Sequence, residues 1–182
     1  IFCSAYGGGE FAEHGNSIAE QLEQAKIRVF EDLYGPYPFY EDGLKFIEAP
    51  YLGMEHQGAI AYGNGFQNGY LGKDRSGSNS GLLFDFILIH ELAHEWFGNN
   101  ITTLHPRDNW IQEGFTTYAE VQYLEKNHSA KAAMAYHLGK KQLIKNDAPL
   151  VDTNDVCANR TSDQYDKGAY IVHMLRRQYN DD

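Results

Sequence analysis

His90-Glu91-Leu92-Ala93-His94-Glu95-Trp96-Phe97-Gly98-Asn99 and Asn109-Trp110-Ile111-Gln112-Glu113-Gly114-Phe115 are the two stretches on which the fold turns. The first closes an apolar run that predicts a buried helix over 82–97. Residues four apart share a helix face, so His90 and His94 can aim their imidazoles at one cation. Glu91 projects from the edge of that face, close to such a cation without ligating it. A catalytic zinc takes three protein ligands in a tetrahedral site and keeps one position for water, so one ligand remains to be found. Glu113 supplies it from a second helical segment, with eighteen residues between it and His94.

A five-residue His-Glu-x-x-His pattern recurs by chance, and its context has to carry the reading. Asn79 or Ser80 can cap the predicted helix and Gly98 can stop it. Phe97 and Asn100 stand where a third-histidine pattern would need Gly and His, so the carboxylate of Glu113 has no competitor. The expected centre is one Zn2+ per chain on His90, His94 and Glu113. Zinc polarises a carbonyl and brings the pKa of water towards about 7. Glu91 can then take a proton from that water and pass it to a leaving nitrogen. Glu120 lies two turns beyond Glu113, as either an acceptor for a ligand histidine's second N–H or an exposed acid.

Working outward, residues 1–6, 44–49 and 58–62 predict strands, and 100–104 is β-branched enough for another. Ile18, Leu22, Ala25, Val29 and Leu33 recur at helical spacing behind Asn16 or Ser17, and Gly35-Pro36 ends that helix. Glu55 falls between two strands, where a sheet edge would turn it towards a cleft and let a peptide add as a strand. The glycine- and serine-rich stretch 63–81 predicts a flexible surface connection, with a lid as the sharper alternative. Helices follow at 110–126, 129–145 and 164–179, with Ser129 and Asp163 as caps. The fold class is α+β: a small mixed-sheet lobe over about 1–81, then zinc-binding helices over 82–182, in one domain.

Lys plus Arg number 15 against 25 Asp plus Glu, a formal charge of −10. An acidic chain without a basic cluster is a poor partner for nucleic acid or an anionic membrane, and it suits a cationic amine. The longest apolar run, Leu82 to Ile89, is broken by Asp85 and too short for a bilayer. Cys3 and Cys157 cannot build a disulfide framework and are expected as free thiols. Their compartment is left open. His14, His105, His128, His137 and His173 have no ligand spacing and read as surface or packing residues.

The His90–Asn99 block, the Trp110–Phe115 block and Tyr51-Leu52-Gly53-Met54-Glu55-His56 together resemble the aminopeptidase N family of gluzincin metallopeptidases. The likeness runs from about Asn16 to about Tyr179, with the motifs in the family's order. It implies a thermolysin-like catalytic domain, here lacking the family's amino-terminal β domain and the rest of its helical carboxy-terminal part. By this resemblance His90, His94 and Glu113 are zinc ligands and Glu91 is the general base. Glu55 matches the glutamate of the exopeptidase signature Gly-x-Met-Glu-Asn, which binds the substrate's free α-amine, and Gly53 and Met54 beside it are expected to bind substrate. Tyr165, in Tyr165-Asp166-Lys167-Gly168, matches the tyrosine that stabilises the transition state. The chain departs from the family at Leu52 and His56, which bears on side-chain preference, and at Asp166, a milder change that leaves the tyrosine untouched. The implied activity is removal of amino-terminal residues from peptides, with other domains of a parent protein as partners. A thermolysin-type endopeptidase and a silent peptide-binding domain are the alternatives.

Overall fold

The computed structural model describes residues 2–4, 27–151 and 161–179. The expected caps Asn16 and Ser17, and Cys157, lie outside them. Four short strands are β1 (Phe2–Ser4), β2 (Phe46–Glu48), β3 (Gly53–Met54) and β4 (Ile60–Tyr62). They form one sheet in the order β1-β2-β4-β3. β2 runs parallel to both β1 and β4, whereas β3 runs antiparallel to β4, so the sheet is mixed as expected. β3 is an edge strand, and Glu55 follows it directly. Phe46, Ile60 and Tyr62 of the inner strands are fully buried.

Helix α1 (Ile27–Tyr34) buries Val29 and Phe30, and Phe30 meets Trp96, Tyr34 and Tyr123 in a cluster of aromatic rings. Ring edges packed on ring faces join α1 to the segment behind the two histidines. The Trp96 indole N–H donates to the carbonyl of Gly35, which satisfies the one polar atom that this buried ring carries.

Helix α2 (Phe86–Ala93) is shorter than the predicted 82–97. Its cap is Asp85, whose carboxylate accepts from the Leu88 N–H, and not Asn79 or Ser80. Asn79 is left-handed and opens a separate 3-10 turn over Ser80–Leu82. Asp85 is itself held by the Tyr62 hydroxyl and the Asn64 amide, so a residue that interrupts the apolar run becomes the anchor of the helix. Beyond Ala93 the backbone loosens into turns, and Gly98 at φ 133° ends the run.

Three longer helices follow: α3 (Asn109–Asn127), α4 (Ala130–Lys141) and α5 (Asp163–Tyr179). Ser129 caps α4 as expected, accepting from the Ala132 N–H. That helix stops before the predicted 145 because the N–H groups of Lys145 and Asn146 donate to the Asp163 carboxylate. Asp163 therefore ties two segments together from the first residue of α5 and is not its N-cap. The predicted strand at 100–104 is reduced to an isolated bridge between Phe97 and Ile101; Ile101 and Leu104 are exposed, and among the described residues no neighbouring strand lines up with them.

The 63–81 connection is pinned at two places. The Asn64 amide donates to the carbonyls of Gln67 and Gly69, and Asp74 accepts from the N–H groups of Ser76 and Asn79. Such local side-chain bonds order a stretch that composition alone reads as flexible. Among the described residues, no helix is long and apolar enough to cross a membrane.

Candidate metal centre and peptide cleft

Helix α2 supplies His90, its C-terminal cap His94 stays αR and continues the same face, and α3 packs across it to bring in Glu113. One ligand atom from each of the three lies within 4.8 Å of the others, and all three residues are buried. The outer ring nitrogens are already engaged. His94 Nδ1 sits 2.8 Å from the Phe97 carbonyl, which can only accept, so this nitrogen carries the hydrogen. His90 Nδ1 lies 2.8 Å from Glu120 Oε1. Both Nε2 atoms therefore face inward, at 3.5 and 3.3 Å from Glu113 Oε2. That oxygen is buried with no hydrogen-bond partner. Two imidazole nitrogens and a carboxylate, oriented from outside and unsatisfied within, are the donor set that zinc takes.

The charges tell the same story. Burial alone would lower the pKa of His90, but the Glu113 and Glu120 carboxylates outweigh it and raise it to about 10. Burial would raise Glu113, yet the two histidines bring it well below the ordinary carboxylate range. Without a cation, a proton is held where a metal would fit.

Glu120 is fully buried, which settles its reading as the partner of His90 and not an exposed acid. Its Oε2 accepts from the Tyr136 hydroxyl at 2.6 Å and from Lys140 Nζ at 3.1 Å. Burial pushes its pKa up, but Lys140 and His90 more than offset this and leave it lowered. Lys140 also lies 3.1 Å from Asp166, at an angle that leaves Asp166 Oδ1 without a hydrogen bond. Two acids from α3 and α5 thus share one buried ammonium from α4.

Glu91 is buried, and burial raises its pKa above the usual carboxylate value. Gly53 of the edge strand lies against it. A methyl group added at Gly53 would come within 2.6 Å of Glu91 Oε1, so only glycine lets the strand approach this closely. Glu55 is half-buried, and its carboxylate falls within 4.8 Å of ligand atoms of both Glu91 and His94. Met54 is exposed at the rim.

The backbone of Glu55 is set from beneath. Asn99 donates its amide to the Glu55 carbonyl and to Glu95, and Glu95 also accepts from the Tyr37 hydroxyl. Glu95 and Asn99 stand in the block that was read for its histidines. Their positioning role was missed because their partners lie about forty to sixty residues away in sequence.

Tyr165 is in the first turn of α5 and its ring centroid is 5.9 Å from that of His90. Its phenol is pushed up to about 12, first by burial and then by Glu113, Glu91 and Glu55, so it stays protonated as a donor. What brings it there is a close crossing of α3 and α5 at Gly114 and Gly168. A methyl at either glycine would lie 2.9 Å from the other's backbone. The structure thus brings His90, His94, Glu113, Glu91, Glu55, Gly53 and Tyr165 to one cleft, with Met54 at its edge. The space beside Glu91 and His90 measures about 250 Å³.

The model of the peptidase family M1 domain matches residues 19–182. Endoplasmic reticulum aminopeptidase 1 of Mus musculus is 30% identical over 162 residues, covering 82% of this chain and 17% of its own length. Glutamyl aminopeptidase of Bos taurus is 28% identical over 179 residues, covering 90% and 18%. The chain therefore spans less than a fifth of these relatives. A crystal structure of an M1 zinc metallopeptidase from Deinococcus radiodurans superimposes with a TM-score of 0.71 at 27% identity, over 99% of this chain and 37% of that one. A two-domain M1 zinc metallopeptidase mutant bound to L-tryptophan reaches 0.61 at 25% identity, over 97% and 34%. Motif order, an α+β fold shared with solved zinc metallopeptidases, and a domain match over nearly the whole chain agree: the chain belongs to peptidase family M1.

Proposed function

We propose that this chain is the catalytic part of a zinc aminopeptidase that removes amino-terminal residues from peptides. The observation that carries the reading is the pairing of Glu55 with Glu91 beside the buried His90–His94–Glu113 set. Two carboxylates this close repel each other unless a cation joins them, and a substrate ammonium is such a cation. His90, His94 and Glu113 would hold one zinc ion. When bound, the ion supplies a Lewis acid and makes water a competent nucleophile near neutral pH.

The remaining steps belong to the chain's own side chains. Glu55 binds the α-ammonium and sets which bond lies over Glu91. Glu91, buried and grouped with His94, is placed to act as the base. It accepts the proton of the attacking water and returns it to the departing nitrogen. Tyr165 donates its hydroxyl to the carbonyl oxygen as negative charge develops there. The edge strand β3 offers main-chain groups with which an extended substrate can pair.

The test compares a free-amine aminoacyl substrate with its amino-acetylated twin, using the full-length zinc-loaded protein. The free amine should be cleaved far faster, and Glu55→Ala should erode that preference. Equal cleavage of both by the wild-type protein rejects the aminopeptidase reading in favour of an endopeptidase. Cleavage of neither leaves a silent peptide-binding domain.

A further inference from the structure

Beyond the reacting atoms the cleft has a second charged feature. Its wall includes Leu52 and Ile87 beside His90 and Glu91, and Phe86, Tyr70 and Arg75 follow from His90 in a row of successive ring contacts. The Phe86 ring stacks on His90 with centroids 5.5 Å apart. The Arg75 guanidinium carbon lies 5.2 Å from the Tyr70 ring centroid, and Arg75 is exposed. Among the described residues it pairs with no carboxylate. The other cation in this wall, Lys140, is buried and taken by Glu120 and Asp166. A partly apolar cleft therefore carries one exposed guanidinium held over an aromatic ring, with no carboxylate partner among the described residues.

We infer that Arg75 makes the cleft select peptides carrying a carboxylate just beyond the scissile bond. The inference rests on the aminopeptidase reading for its direction. Glu55 groups with Glu91 and His94, whereas Arg75 is reached from His90 through Phe86 and Tyr70, whose rings meet in turn. The row of His90, Phe86 and Tyr70 thus separates the guanidinium from the Glu55 carboxylate. An ammonium at Glu55 places the amino-terminal residue on the His94 side. The rest of the peptide then leaves along His90 and Phe86, towards Arg75. A carboxylate there comes from one of two sources: the free carboxy terminus of a dipeptide, or an acidic side chain on the second residue. A guanidinium recognises either with paired, charge-assisted hydrogen bonds.

The experiment uses the full-length zinc-loaded protein carrying Glu91→Gln, so that peptides bind without being consumed. Calorimetric titration compares Leu-Ala with Leu-Ala-amide for the terminal carboxylate, and Leu-Glu-amide with Leu-Gln-amide for the side chain. At least one carboxylate peptide should bind about tenfold more tightly than its neutral twin, the scale of a hydrogen-bonded charge in a partly open site. The favoured arm identifies the source. Adding Arg75→Gln should bring that ratio to about one, and Arg75→Lys should restore only part of it because the ammonium lacks the planar fork. Equal affinities in both arms, no measurable binding by any of the four peptides, or a preference that survives Arg75→Gln would overturn the inference. Hydrolysis with Glu91 intact is read separately. If none of the peptides is cleaved while the Arg75-dependent preference persists, the aminopeptidase reading falls and the carboxylate subsite stands.

Discussion

Tyr165 puts a hydroxyl, still protonated at neutral pH, in the cleft beside the Glu91 carboxylate and the His90 imidazole. Its ring could serve as packing alone, and the hydroxyl is what the proposed chemistry needs. Tyr165→Phe keeps the ring and deletes the donor, so it isolates that one interaction. The variant should lose roughly 10²–10³ in kcat, the range for removing a single oxyanion donor. KM and zinc content should hardly change, because the bond strengthens only as charge develops. Steady-state kinetics with metal analysis decides the point, and a Phe variant with wild-type kcat returns Tyr165 to packing.

Between elements, the contact that aims Tyr165 is the meeting of α3 and α5 at Gly114 and Gly168. Alanine is intrinsically better than glycine in a helix by about 0.5–1 kcal/mol. At Gly168 that gain is outweighed, because the added methyl would meet the Gly114 backbone at 2.9 Å and the Trp110 carbonyl at 3.1 Å. Backbone atoms cannot swing aside as a side chain can, so one helix must shift. Overpacking of this kind costs about 1–3 kcal/mol. Gly168→Ala should therefore lower Tm by a few degrees. It should also depress kcat by carrying Tyr165 away from His90, while the ligands on α2 and α3 still bind zinc. A thermal melt unchanged from wild type would show that the crossing has slack.

For the molecule as a whole, a zinc ion on the three proposed ligands would clamp α2 to α3 and couple metal binding to folding. A ligand in thousandfold excess over its Kd adds about 4 kcal/mol to stability. Chelation should then lower Tm by on the order of 10 °C for a chain of this size. His94→Ala should abolish the difference between chelated and zinc-loaded protein. The pH dependence has a definite sign. With no metal, Glu113 and Glu120 hold His90 protonated up to about 10, so zinc must displace a proton at any lower pH. Zinc affinity should fall by about tenfold for each unit of pH lost below that value, measurable by competition with a chelator of known affinity. An affinity flat between about pH 8 and about pH 6 would contradict the assigned ligands.

Much of the centre was legible along the chain because its signals are local. A spacing of four aligns His90 with His94 by helix geometry alone, Ser129 caps from its own backbone, and Glu113 and Glu120 share a face by periodicity. The expectation that Glu55 stands at a sheet edge followed from its place between two strand-like runs. Other features depend on residues distant in sequence and were decided only by packing. Asp85 looked like a break in an apolar run until Tyr62 and Asn64 made it the cap of α2. Asp163 looked like a cap until the chain after α4 met its carboxylate. The sharing of Lys140 between Glu120 and Asp166, the crossing at Gly114 and Gly168, and the place of Arg75 in the cleft have no local pattern. A buried charge or a close backbone approach is stable only through its three-dimensional neighbours, and those neighbours come together when the chain folds.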